Sequence, residues 1–279
     1  MDTKTLKKIK DELNKQGLFL EKIVFTFLLE GGEFEVRREE PYSGCTSESF
    51  EGTIDVLAVY KINDGLLACL PIECKKADPE QKCWVFERRE TSEEPTFPFD
   101  YYESFGSKIN YKKNIFFPSL GYHGMKFFDR AIQSFEFNEA TGIIDRNSQK
   151  GRRPYYALKQ SNEAVSSFID ERRERVCEIA GVEKNQVDIL FIPLVVTTAN
   201  LYTLDYKPKD IGWDGGVPIN KLNLEEKKWL HYEFPLPYSL RARNGGGLGP
   251  VKRPSFIVNA NDFSTFISGI IKDCKRYIL

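Results

Sequence analysis

Residues 53–75 read TIDVLAVYKINDGLLACLPIECK, and this stretch decides the fold. Two apolar, β-branched runs, 53–61 and 66–74, flank Asn63-Asp64-Gly65, a combination that marks a β-hairpin. A three-residue loop with Gly65 left-handed forms a type I turn plus bulge and pairs Ile62 with Leu66, so that opposed residue numbers sum to 128. Asp55 then stands opposite Glu73. Lys75, two residues on, shares their face, because side chains alternate along a strand. A two-residue loop would set Asp55 against Cys74 instead. In the first register three ionisable groups meet at the open end of an apolar hairpin. Neighbouring carboxylates raise each other's pKa unless a cation sits between them. Oxygen ligands alone suit Mg²⁺, with Mn²⁺ as a substitute. A lysine beside such an ion can orient or deprotonate a water, or neutralise charge on a phosphate.

Acid-x-Lys occurs seven times in this chain, so context has to select among the copies. The best rival is Asp205-Tyr-Lys207, preceded by Asp188 at similar spacing. Its midpoint falls at Val196-Thr197, where nothing signals a turn, whereas the midpoint of Asp55 and Glu73 is Asp64, inside one. Upstream, residues 3–16 read as a polar helix capped by a left-handed Gly17. Residues 18–30 (LFLEKIVFTFLLE) read as a helix apolar almost all round and therefore buried. Residues 33–38 alternate as a strand, and Pro41–Ser49 reads as a loop.

Gly52-Thr-Ile-Asp55 followed by Ile72-Glu-Cys-Lys75, with Glu21 on a preceding helix and Phe34-Glu-Val36 on a preceding strand, resembles the PD-(D/E)XK nuclease superfamily, also called restriction-endonuclease-like. The resemblance covers residues 18–77 and extends less surely to 155–179 and 187–197. Ile54 stands where the superfamily's eponymous proline would be. The resemblance implies an α/β fold: an αβββαβ core with a mixed central sheet flanked by helices. It implies that Asp55 and Glu73 hold Mg²⁺ with the Cys74 main-chain carbonyl, that Lys75 positions or activates water, and that Glu21 assists. It implies a metal-dependent nuclease, foremost a DNA endonuclease, with a restriction or anti-phage role resting on resemblance alone.

The whole chain, 1–279, reads as one domain. Its core covers about 18–80 and 155–206, interrupted by an irregular insertion at 85–150 with a short helix near 126–135. A C-terminal extension, 207–279, follows. Residues 155–179 have helical spacing, and 187–197 (VDILFIPLVVT) form a run fit for a strand buried on both faces. Strands are expected at 201–206, 229–234 and 255–258. A flexible glycine loop is expected at 244–250, and a helix at 262–276 capped by Asn261 or Asp262.

Charge is segregated: −8 over residues 1–105, +6 over 106–160 and +1 over 161–279. An acidic first third beside a basic middle fits a metal-gathering site next to a phosphate-binding surface. Candidate nucleic-acid contacts are Lys76, on the face opposite Lys75, Arg152 and Arg153 beside Tyr155 and Tyr156, and Gln160 early in its helix. Glu171-Arg-Arg-Glu-Arg175 reads as a salt-bridged helix face. Double-stranded DNA is the expected partner, with a second copy or an effector protein as further candidates. Two readings compete with the nuclease: a non-catalytic nucleic-acid-binding or assembly module, and a phosphoesterase acting on a small substrate. The two histidines, His123 and His231, argue against a His-ligated metal. Six scattered cysteines without Cys-x-x-Cys spacing give no zinc ribbon and read as free thiols. With no secretory leader and no apolar run of roughly 18 residues, a cytoplasmic location and no membrane are expected.

Overall fold

The computed structural model describes residues 5–6, 8, 17–44, 50–77, 82–88, 99, 101–103, 108–110, 117–123, 126–127, 130–138, 143–144, 153–170, 172–183, 187–236, 243–244, 247–248 and 252–278. It is a mixed α/β structure in which helices flank a mixed sheet. Helix α1 (Leu18–Glu30) starts at Gly17, left-handed as expected with φ 80°. The helix expected at 3–16 lies almost wholly outside the described residues.

Strands β1 (Phe34–Gly44), β2 (Phe50–Asn63) and β3 (Leu66–Lys75) form an antiparallel meander. The expected loop from Pro41 is strand as far as Gly44. Among the described residues β1 pairs only with β2, and an edge strand is where a proline is tolerated. β2 and β3 pair as expected, summing to 128 from Val56↔Ile72 to Lys61↔Leu67. The turn differs. Asn63 pairs with Leu66, and the register shift lies between Lys61 and Asn63. Gly65 has no positive φ, and its N–H is held by Asn63 Oδ1 at 2.8 Å. A two-residue turn and a bulge at Ile62 thus give the register that a three-residue loop would have given.

Helix α2 (Arg153–Asp170) and helix α3 (Arg173–Ile179) replace the single helix expected at 155–179. Arg175 beyond the break grips Glu40 of β1 at 2.7 and 3.1 Å and reaches Glu178 at 3.3 Å, as a salt-bridged face should. Strands β6 (Asp188–Phe191) and β7 (Leu194–Thr197) lie parallel to β3 in one unbroken register, Asp188↔Leu66 through Thr197↔Lys75. They are the expected strand, interrupted at Ile192-Pro193. β3 is therefore central, with β2 on one side and β6–β7 on the other.

The insertion and the extension are built into the same sheet. The expected helix near 126–135 is contradicted: β5 (Arg130–Asn138) is a strand, antiparallel to β4 (Lys82–Arg88). Its Gln-Ser-Phe-Glu-Phe-Asn segment alternates, and pairing across the sheet outweighs any helical spacing. β8 (Asn200–Asp205) runs parallel to β4 and antiparallel to β9 (Asn223–Lys227). β10 (Trp229–Pro235) joins β5 to β11 (Lys252–Asn259), which lies beside β7. The path β7–β11–β10–β5–β4–β8 ends on the strand that follows β7 after two residues. With Ala157 and Leu158 of α2 it forms a core that includes Trp84, Phe86, Leu201, Leu230, Phe234 and Ile257.

Two further cores fill the faces of the meander. One packs Leu20, Val24 and Leu28 of α1, and Phe266 and Ile270 of α4 (Phe263–Cys274), on Val56, Ala58, Leu70 and Ile72. The other packs α2 and α3 on Ile54, Leu57, Val59, Leu67 and Cys69. α1 is not buried all round. Phe19, Ile23 and Leu29 are 41%, 66% and 52% exposed, since a single helix on a sheet hides one stripe only. Asp262 stands at the N-cap of α4 as expected but makes no side-chain cap bond, and the 3-10 turn before it is capped by Asn259 Oδ1, which accepts from Asn261 N. The expected flexible loop at 244–250 contains the short pair Arg243-Asn244 with Gly247-Leu248. Among the described residues the five cysteines are buried and form no disulfide, and no helix is long and apolar enough to cross a membrane.

Candidate active site

At Glu39 and Asp55 the first two strands change faces. Their register is continuous, but the pair between Arg38↔Val56 and Glu40↔Ile54 is missing from the ladder. Glu39 has φ 49°, the only described residue other than glycine with a positive φ. Phe34, Val36 and Val56 lie in the α1-side core, whereas Ile54 and Tyr42 lie in the α2-side core. Strict alternation would have left Ile54 beside Val56. The switch ends the β2–β3 ladder at Val56↔Ile72 and turns Asp55 inward. Asp55 Oδ2 accepts from Cys74 N at 2.7 Å, standing in for a strand carbonyl. Asp55 and Glu73 therefore come together, as the register predicts, through a splayed end rather than a regular pair.

Glu73 is 1% exposed at the end of β3. Lys75 Nζ donates to its Oε1, and Lys75 itself is 30% exposed. Glu73 Oε2 is buried with no hydrogen-bond partner. Burial, and then the negative charge of Asp55, push the Glu73 carboxyl up to about 8 against the pull of Lys75. Burial also raises Asp55, against its bond from Cys74 N. Glu21 is raised by burial and by Asp55, although Arg38 Nη2 lies 3.9 Å from its Oε2. Burial thus holds all three carboxyls above their ordinary range, and Asp55 adds to the rise of Glu73 and Glu21. That imbalance, with an orphaned oxygen at its centre, fits a divalent cation.

Among the described residues no three His, Cys, Asp or Glu side chains form a ready metal cage. The expected ligand set needs only two carboxylates, Asp55 and Glu73, plus the Cys74 carbonyl. The Cys74 thiol is buried in the α1-side core, away from the face that carries Glu73 and Lys75.

Lys76 is half-buried on the α1 side, near Gly17 and Glu21: a Cβ built on Gly17 would lie 3.9 Å from both Lys76 Cβ and Glu21 Oε1. Gln160 is half-buried on α2, next to Ser161, whose Oγ donates to Pro71 O at 3.0 Å and accepts from Leu194 N at 3.1 Å. That residue pins α2 to β3 two positions before Glu73. Arg152 lies outside the described residues, as does the side chain of Arg153, which opens α2.

Sequence reading missed Arg38, Tyr42 and Glu163. Arg38 was legible, since alternation with Phe34 and Val36 puts it on the α1 face. Tyr42 was hidden in a presumed loop. It is 3% exposed, its hydroxyl donates to Glu163 Oε2 at 3.5 Å, and Glu73 and Asp55 both act on it electrostatically. Gly52 makes room for its ring: a Cβ there would lie 2.7 Å from Tyr42 Cζ and Oη. Comparison with known protein families, with curated proteins and with solved structures finds no match.

Proposed function

We propose that this protein is a divalent-metal-dependent nuclease that hydrolyses phosphodiester bonds in DNA. The observation that carries the reading is the buried, unpartnered Glu73 Oε2, set between Asp55 and Lys75 at the splayed end of a hairpin. The element order of helix, three-stranded meander, helix and parallel strand supports the same reading, as does the resemblance of the Asp55 and Glu73-x-Lys75 motifs to the PD-(D/E)XK superfamily.

Asp55, Glu73 and the Cys74 carbonyl would hold the ion. Mg²⁺ or Mn²⁺ there supplies a Lewis acid for the scissile phosphate and lowers the pKa of water. The chain's own groups do the rest. The Cys74 N–H fixes the Asp55 carboxylate. Lys75 Nζ, which donates to Glu73 yet is partly in solvent, orients the attacking water and neutralises charge developing on the phosphate. Water oxygen bonds to phosphorus, the bond from phosphorus to the leaving sugar oxygen breaks, and the water's proton passes through solvent to that oxygen. Glu21 and Arg38 trim the charge at the entrance.

Incubation with plasmid, linear duplex, single-stranded DNA and RNA in Mg²⁺, Mn²⁺ or EDTA tests this, with Glu73→Ala alongside. Metal-dependent cutting of DNA that the variant loses by at least ~100-fold is expected. No cutting by the folded protein in any lane, or equal cutting by the variant, refutes it and favours a non-catalytic binding module.

A further inference from the structure

Beyond β8 the chain leaves the sheet and returns as β9, and almost all of residues 207–226 stand in solvent. This arm carries apolar side chains outward: Trp213 is 109% exposed, Ile219 88%, Leu224 54%, Ile211 41% and Leu222 39%. Summed over the five, on the order of 600 Å² of apolar surface stands in water. The arm is nevertheless built. Gly212 N donates to Gly216 O at 2.7 Å, Gly215 N to Gly212 O at 2.9 Å, and Gly216 N to Asp214 Oδ1 at 3.0 Å. Tyr206 hydroxyl ties its base to Glu87. A fixed turn that holds a whole indole in water is the form of an interface anchor.

The same turn contains an open hollow of about 440 Å³, lined by Ile211, Gly212, Gly216, Val217 and Pro218 together with the charged Lys209, Asp210 and Asp214. Knob and hollow thus lie on one patch, the condition for a surface that fits a copy of itself around a twofold axis. We propose that this arm joins two copies of the chain, the Trp213 of each seated in the other's hollow. Charge agrees with that choice. Between 206 and 222 three lysines face two aspartates, a mixed set that a second copy can complement and that forms no cationic track for phosphates. Lys209, on the rim of the hollow, offers its ammonium to the incoming indole. Four of the five exposed apolar groups are aliphatic, whereas bases stack on aromatic faces. The exposed area approaches the ~800 Å² that each partner gives to a standard interface.

Sedimentation velocity on the full chain, over roughly 1–100 µM, tests this. The wild type is expected to be a dimer. Trp213→Ala, which removes the knob, and Val217→Arg, which fills the hollow, should each weaken association by at least about thirty-fold. Both substitutions lie on the exposed arm, so unchanged circular dichroism will show intact folding. An equimolar mixture of the two variants restores one knob in one open hollow and should dimerise better than either alone. A monomeric wild type, a variant that sediments like wild type, or a mixture without gain overturns the proposal. So does a Trp213→Ala protein of unchanged mass that binds an oligonucleotide less tightly, which would assign the arm to nucleic acid. None of these measurements reads cleavage, so their failure leaves the nuclease reading standing.

Discussion

Hairpin β2–β3 and hairpin β8–β9 are built on the same backbone rule and partition their side chains in opposite ways. The first turns tightly at Asp64-Gly65, buries apolar side chains on both faces, and keeps the Glu73 carboxyl out of water at its open end. The second turns through a long loop, leaves most of β9 exposed, and holds Trp213 and Ile219 in water. Each departs from the ordinary partition of polar and apolar groups, and each departure has a cost: desolvated carboxyls in one, hydrated apolar surface in the other. In both, a rigid frame sustains the departure. Cys74 N on Asp55 holds the first, and the glycine turn around Asp214 holds the second. The contrast locates two places where a further species is expected, a cation in one and an apolar partner in the other.

The sharpest way to break the comparison is Glu73→Gln. It should cut metal-dependent cleavage by at least ~100-fold and, at the same time, stabilise the fold at alkaline pH. The Glu73 carboxyl is raised from 4.5 to about 8 in the folded chain. The folded state therefore keeps a proton that the unfolded chain releases, and stability falls as pH rises from about 4.5 to about 8. The Gln variant lacks this loss. By pH 8–9 it should lead the wild type by on the order of 3 kcal/mol in denaturant unfolding, with the two alike near pH 4. A gap that does not grow with pH would mean that Glu73 is not a carboxyl kept neutral by burial. Saturating Mg²⁺ should close part of the same gap, by about 2.7 kcal/mol at a hundredfold excess over its dissociation constant. Stability of the wild type unmoved by Mg²⁺ at pH 8 would count against the cation.

Gly52→Ala comes next. Its Cβ would meet the Tyr42 ring at 2.7 Å, and the ring is buried against α2. A loss of about 1–3 kcal/mol is expected; a neutral result would show that Tyr42 is free to move off Gly52. The smallest effect belongs to the second hairpin. Trp213→Ala should change the unfolding free energy, measured on dilute protein, by less than about 0.5 kcal/mol, because the side chain touches nothing in its own chain. A larger loss would mean that the arm packs on the body.

The sequence was most informative where local chemistry and final structure agree. The register of β2 and β3, α1 after Gly17, the buried run at 188–197 and the last helix were all readable from turns, caps and apolar runs. The turn itself was not. Its bulge sits at Ile62 rather than at Gly65, yet two slips compensate, so Asp55 and Glu73 still meet. The strands of the insertion were not readable, because β4 and β5 acquire their order from each other and from β8 and β10, remote in sequence. Pro41 looked like the end of a strand and is tolerated because β1 is an edge.

The sequence by itself determined the acid pair, its lysine and the hairpin that brings them to one place, because turn chemistry and alternation act over a few residues. Only the tertiary structure decided the exchange of faces at Glu39 and Asp55, the burial that raises Glu73, the seat of Tyr42 on Gly52 and the core around Trp84. Desolvation and long-range pairing depend on what packs against a residue, and segments far apart in the chain supply that packing.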